Sequence, residues 1–247
     1  MSSAREAEPV RPPRGHLYLI PVPLGQTPPV SVLPDPVLAC TRRLTHFVAE
    51  NARTARAFIR SVGSTWPLQQ ILISELNEHT PASEVASLLE PALAGTDLGL
   101  VSESGCPGVA DPGAALVALA HRLDVPVHPL IGPSSILLAL MGSGLSGQNF
   151  AFHGYLPTAT ADRERRLQVL EKESRILRRT QIFIETPYRN AHLLASLIRV
   201  CAPGTLICVA TDLTLDSQQI STHAVAEWRR RLLPAIDRRP SVFLLQA

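Results

Sequence analysis

The stretch DLGLVSESGCPGVADPG, residues 97–113, decides the fold: a short apolar strand runs directly into a loop that holds three glycines and two prolines. Such a strand reads as a central parallel strand, and ligands of open α/β sheets gather where strands of this kind end. Gly105 and Gly108 allow close backbone approach, while Glu103 and Asp111 offer acceptors for hydroxyl or ammonium groups. The same loop also suits a plain tight connection capped by acids.

Working outward, short apolar runs alternate with helix-length segments. HLYLIP (16–21) precedes a helix after Pro34, THFVA (45–49) one from Asn51, and QILIS (70–74) one opened by Thr80 and Pro81 as N-cap and first helical residue. Downstream come a helix over 113–123, the strand VPVHPLI (125–131) and a helix through SSILLALMG (134–142). Five strands wound with four helices predict a mostly parallel sheet. Beyond Gly142 the texture changes, with strands at FAFHGYL (150–156), TQIFIE (180–185), TLICVAT (205–211) and SVFLLQ (241–246), and a charged helix over 162–179. The expected organisation is a disordered leader (1–14), an α/β domain (15–146) and a smaller mixed α/β domain (147–247).

Composition narrows the function classes. Of 247 residues, 45% are hydrophobic and 18% charged, which excludes a wholly disordered chain. The formal net charge is only +2, too small to name a nucleic-acid partner. Its distribution is uneven: residues 1–120 carry 8 basic and 11 acidic groups, residues 121–247 carry 15 and 10. Cys40, Cys106, Cys201 and Cys208 lack zinc spacing, so no metal is expected and free thiols in a reducing cytoplasm fit. No signal core or membrane-length apolar run occurs.

Other loops repeat the pattern of residues 102–113. PVPLGQTPP (21–29) follows the first strand, and IGPSS (131–135) follows the fifth; Ser134 or Ser135 either caps the next helix or reaches a ligand. ENARTAR (50–56) sets Arg53 and Arg56 beside Glu50, suited to a polar or anionic substrate or to a solvated helix face. Glu185 and Arg189 follow a strand directly. The basic helix 162–179 reads as a salt-bridged face in preference to an RNA track. His79 and His153 are lone histidines, more often structural than catalytic. GSGLSG (142–147) matches a dinucleotide fingerprint in letters only; it follows a helix and precedes a strand, so it reads as an interdomain turn.

Taken in register, these loops resemble the tetrapyrrole methylase family of S-adenosylmethionine (SAM)-dependent methyltransferases, within it the ribosomal RNA small subunit methyltransferase I branch. Pro21 to Gln26 are similar to P-T-P-I-G-N, Glu50 to Arg53 to E-D-T-R, and Ser102 to Pro107 with Asp111 to Gly113 to S-D-A-G-T-P and D-P-G. Ile131 to Ser134 resemble P-G-P-S, Gly154 to Pro157 G-F-L-P, and Glu185 to Arg189 E-S-P-H-R. Departures occur at Glu103, Asn51, Thr211 to Leu215 in place of R-E-L-T-K, and Ser74 to Glu78 in place of H-E-H-N-E. The chain closes on SVFLLQA, where that branch usually continues into a further small domain.

The resemblance implies a two-domain tetrapyrrole-methylase-like fold with SAM in the cleft between the domains. Its contacts would be Pro23, Ser102, Glu103, Ser104, Gly105, Gly108, Val109, Ser134, Ser135, Ile184, Glu185, Ala210, Asp212 and Leu213. Glu50, Glu75 and Glu78 with Arg53 are the candidates for relieving a hydroxyl acceptor, such as a ribose 2′-oxygen, of its proton. It also implies a homodimer. The expected activity is RNA methylation, most readily of ribosomal RNA. A tetrapyrrole-like or other small-molecule acceptor and a non-catalytic SAM-binding regulatory module are the alternatives.

Overall fold

The computed structural model describes residues 13–77 and 79–247. The expected leader, apart from Pro13 and Arg14, and the candidate Glu78 lie outside the described residues. The chain divides into two compact units: one comprises residues up to Pro23 and Pro28–Gly132, the other Leu24–Thr27 and Pro133–Ala247.

In the first unit the elements run β1 (Leu17–Ile20), α1 (Asp35–Arg43), β2 (His46–Ala49), α2 (Ala52–Val62), β3 (Leu72–Glu75), α3 (Ala82–Val85), α4 (Glu90–Leu93), β4 (Leu98–Val101), α5 (Gly113–Arg122) and β5 (Val127–Pro129). The strands form one sheet in the order β3-β2-β4-β1-β5, and every pairing is parallel. Side chains alternate between its two faces. Ile20, Phe47 and Val101 pack with Leu38 of α1 and Ile59 of α2; Leu17, Leu98 and Leu100 pack with Leu116 and Ala120 of α5. Gly99 has no substitute in this arrangement, because an added Cβ would lie 2.8 Å from Phe47 Cδ1 and 2.9 Å from Ile20 Cδ1. Helix α2 begins at Asn51, whose side chain accepts the Arg53 and Thr54 N–H groups, and ends at Gly63 with φ 80°.

The helix expected after Thr80 and Pro81 forms in pieces. Pro81 stands at the N-cap of α3 rather than its first turn, and the Thr80 hydroxyl accepts the Asn77 N–H instead of a helical one. Pro91 restarts the helix as α4 because it has no N–H to continue the preceding turn.

The second unit contains α6 (Ser135–Ser143), β6 (Phe150–Tyr155), α7 (Thr160–Leu177), β7 (Thr180–Ile184), α8 (Asn190–Val200), β8 (Leu206–Thr211), β9 (Gln219–Ala224), α9 (Val225–Trp228) and β10 (Ser241–Gln246). Its sheet is mixed, in the order β6-β7-β10-β8-β9. β9, α8 and α9 were not read from the sequence. The division falls at Gly132 and Pro133, upstream of the expected 146, because α6 buries Ala139 and Leu140 with Ile182, Cys208 and Leu244 of the second sheet. Gly144, central to the fingerprint-like GSGLSG, is the left-handed C-cap of α6. The excursion Leu24–Thr27 also belongs to this unit: Leu24 joins the same apolar cluster, and Gly25 lies against Leu215, whose Cδ2 is 3.0 Å from where a Cβ would stand.

Candidate functional site

The strand order places the first unit's loops. β1 leads to α1 on one face of the sheet, whereas the adjacent β4 leads to α5 on the other, so their connections part where the two strands end. Such a switch point opens a crevice at the carboxyl edge of a parallel sheet. Residues 102–113 leave β4 there and Pro21–Pro23 leave β1. Two hydrogen bonds join them, Val22 N–H to the Gly105 carbonyl at 2.9 Å and Gly105 N–H to the Val22 carbonyl at 3.2 Å.

Within the 102–113 loop, Gly105, Gly108 and Ala110 adopt φ values of 73°, 80° and 60°. Holding Ala110 left-handed costs on the order of 1 kcal/mol, a strain of the sort concentrated at ligand sites. Asp111 enforces the shape: its Oδ1 accepts the N–H groups of Gly108 and Gly113, each at 2.8 Å. Burial pushes the Asp111 carboxyl up, against the lowering effect of those two bonds. Asp111 is therefore the brace of the loop. A Cβ on Gly108 would meet nothing within 4 Å, so this backbone faces open space. Glu103, Ser104 and Val109 are exposed; the Ser102 hydroxyl turns back to the Ser104 carbonyl at 3.2 Å.

Glu50 and Glu75 occupy the same carboxyl edge, at the ends of β2 and β3, where Ala49 lies opposite Glu75. Glu75 Oε1 accepts the Ala52 N–H at 2.9 Å, serving the start of α2. The Arg53 side chain is exposed on the first turn of that helix. The sequence thus brings Glu50, Arg53 and Glu75 to one sheet edge.

In the second unit, Ile184 of β7 and Ala210 of β8 both lie opposite Val242 of β10, about 10 Å apart at two strand spacings. Glu185 and Asp212 therefore emerge on the same edge. The Glu185 side chain is fully buried; its Oε1 accepts Thr186 N–H at 2.6 Å and Arg189 Nη2–H at 2.6 Å. Its Oε2 is buried with no hydrogen-bond partner among the described residues. Asp212 and Thr214 are left-handed, with φ 52° and 74°. Asp212 Oδ2 accepts from Ser217 Oγ at 2.7 Å and Arg239 Nε at 2.8 Å, and Leu213 is buried between them in sequence. Thr214 Oγ1 is a second buried atom with no partner among the described residues. Arg14 Nη1 and Asn190 Oδ1 are bare as well; what distinguishes Glu185 Oε2 is that an unpaired buried carboxylate oxygen is costly and that a hydrogen-bond donor brought to this edge would relieve it.

Several candidates have structural duties. Ser134 caps α6 by accepting the Leu137 N–H at 3.5 Å; Ser135 opens that helix. His153 Nε2 lies 2.7 Å from Gln181 Oε1. On α7, Arg163 is buried on Ser196 and the Thr158 carbonyl, and Arg165 pairs with Asp162, in keeping with a salt-bridged face. None of the four cysteines is in a disulfide. No cluster of metal-ligating side chains occurs among the described residues, nor does any helix long and apolar enough to cross a membrane.

The fold is shared with solved methyltransferases. The methyltransferase CobJ superposes with a TM-score of 0.62 at 21% identity, covering 94% of each chain. Diphthine synthase gives 0.67 at 15% identity, covering 94% of this chain and 90% of that one. This is the tetrapyrrole methylase architecture that the loop series implied. No protein-family profile matches the chain.

Two relatives carry the assignment further. A ribosomal RNA small subunit methyltransferase I from Micromonospora olivasterospora is 34% identical over 220 residues, which are 88% of this chain and 66% of that protein. The protein of the same name from Xylella fastidiosa (strain Temecula1) is 30% identical over 231 residues, 94% of this chain and 80% of its own. The chain belongs to the ribosomal RNA small subunit methyltransferase I family and is a SAM-dependent methyltransferase.

Proposed function

We propose that this protein transfers a methyl group from SAM to RNA, with a ribosomal RNA ribose 2′-oxygen as acceptor. The observation that supports the cofactor's placement is the bare, buried Glu185 Oε2 on the strand edge that also carries the strained Asp212–Thr214 turn. Ile184, Glu185, Ala210, Asp212 and Leu213 in the second unit would hold SAM, as would Pro23, Ser102–Gly105, Gly108 and Val109 in the first. Ser134, which also caps α6, and Ser135 remain candidate contacts.

SAM brings an electrophilic methyl sulfonium, so the chain's own task is alignment, exclusion of water and removal of one proton. Glu185 would accept hydrogen bonds from cofactor hydroxyl or ammonium groups, and the braced 102–113 loop would present backbone in place of water. Glu50 and Glu75 would accept the acceptor hydroxyl's hydrogen bond, and Arg53 would bind phosphate; Glu78 belongs to the same proposal by sequence alone. We further propose a cytoplasmic homodimer, on the strength of the family resemblance.

Incubation with methyl-labelled SAM and separated RNA and small-molecule pools from a deletion strain tests this. Label in small-subunit ribosomal RNA is expected. Label confined to small molecules would give the acceptor to that class, and tight SAM binding without turnover would make the chain a regulatory module.

A further inference from the structure

The segment joining α9 to β10, residues 229–240, carries five arginines and one acid, Asp237. Its arginines divide into two groups. The outer two are consumed by the fold. Arg229 donates to the Ile198 carbonyl at 2.9 and 3.1 Å, at the end of α8. Arg239 donates to Asp212 Oδ2 at 2.8 Å and to the Ser217 and Ala235 carbonyls at 2.7 and 2.9 Å. Between these anchors Ile236 is buried, and Asn190 Nδ2 holds the Ile236 and Arg239 carbonyls.

The inner three, Arg230, Arg231 and Arg238, are exposed and form no side-chain ion pair or hydrogen bond among the described residues. Leu232 beside them is 99% exposed. Three solvated guanidinium groups without an internal counter-charge, on a loop fixed at both ends, give this segment a positive potential that draws anions. The segment also borders the candidate cofactor turns of its own unit. Arg238 N–H donates to the Pro187 carbonyl at 3.1 Å, and the next residue, Tyr188, is 71% exposed.

We infer that Arg230, Arg231 and Arg238, with Tyr188, form the docking surface for the acceptor RNA. The inference rests on the RNA-methylating reading above. Guanidinium groups pair with phosphate oxygens bidentately and are weakly hydrated, so they bind a phosphate backbone without sequence preference. An exposed ring three residues after Glu185 gives an unpaired base a face to stack on. Together they hold single-stranded RNA next to the turns proposed to carry the methyl donor.

The test is fluorescence anisotropy of a labelled single-stranded RNA oligonucleotide over a potassium chloride series, with the full chain and its R230Q/R231Q/R238Q variant. Losing three phosphate contacts is expected to lower the slope of log K against log salt by about 2 and the affinity at 0.1 M salt by about 100-fold. Tyr188→Ala is expected to weaken binding about tenfold with the slope unchanged. SAM affinity by calorimetry is expected to stay at the wild-type value in both variants, which reports that they fold. Wild-type affinity and slope in the triple variant would overturn the docking surface while leaving the methyltransferase reading intact. A wild-type chain that binds SAM and no RNA would overturn both. Equal binding of a polyglutamate peptide, lost in the triple variant, would assign the surface to an acidic protein and overturn the inference.

Discussion

Asp111 is the side chain on which the 102–113 loop turns, and replacing it with alanine or asparagine separates brace from ligand contact. Asp111 Oδ1 accepts two N–H groups at 2.8 Å, and that of buried Gly113 opens α5, which has no other side-chain cap. Alanine strips both; at about 1–2 kcal/mol for each orphaned donor the loop loses about 2–4 kcal/mol. If the loop must be ordered to hold SAM, that loss caps the rise in Kd at about 30- to 1000-fold, at 1.4 kcal/mol per decade. Asparagine keeps an acceptor oxygen in the same place and is expected to stay within about fivefold of wild type, because only the charge-assisted part of the two bonds is lost. Calorimetric titration with SAM measures Kd, and thermal unfolding of the same samples reports stability. Wild-type SAM affinity in Asp111→Ala would refute the bracing argument. Equal loss in Asp111→Asn and Asp111→Ala would also refute it, since the carboxylate charge itself would then be the contact.

Three further outcomes are expected. Glu185→Gln removes the charge facing Arg189 and turns the bare Oε2 position into either an amide donor or a weaker acceptor, so SAM affinity should fall at least tenfold while stability drops by about 1–3 kcal/mol; loss of stability alone, with SAM binding intact, would deny the atom a ligand. Burial would raise the Asp97 carboxyl, but the Arg43 guanidinium and the His16 N–H outweigh burial and lower it from 3.8, so its stabilising contribution is present above pH about 4 and lost as pH falls through its folded value. Urea midpoints should therefore decline less steeply below pH 4 in Asp97→Asn, and parallel declines would contradict this. Burial, with Glu171 nearby, pushes the Cys201 thiol up to about 12, so a thiol reagent at pH 8 should reach Cys40 and Cys106 and spare Cys201 and Cys208 until the chain unfolds; rapid titration of all four would contradict the buried positions.

Much of the first unit was legible because its strands are short apolar runs alternating with helix-length segments, and because Asn51 marks the start of α2 in the letters themselves. The second unit was less so. β9, QISTHA, lies at a sheet edge, is mostly polar and has Ile220 as its one bulky apolar residue, and α8 follows the ETPYR turn so closely that its start is hidden. The break between Thr80 and Leu93 shows the limit of capping rules: Thr80 satisfies a turn, and Pro91 forbids the helix its neighbours favour. At the candidate site, the loops were visible as loops, but the duties inside them were not. Asp111 and Ser134 could be read either as ligand groups or as caps, and the bonds they accept from backbone N–H groups show only in three dimensions. Arg239 lies 27 residues from Asp212, and no local pattern links them; only the antiparallel pairing of β10 with β8 brings them together.

The excursion Leu24–Thr27 constrains how this molecule is made. Its Gly25 packs on Leu215, 190 residues later, so the second unit is not a contiguous stretch of chain and a cut at Gly132 would leave it without that piece. At synthesis rates of roughly 5–20 residues per second, Leu24–Thr27 leaves the ribosome about 10–40 s before its partner exists. The first sheet can therefore close during translation, while the second unit's strand edge with Glu185 and Asp212 is completed only when the finished chain folds back onto a segment from its own beginning.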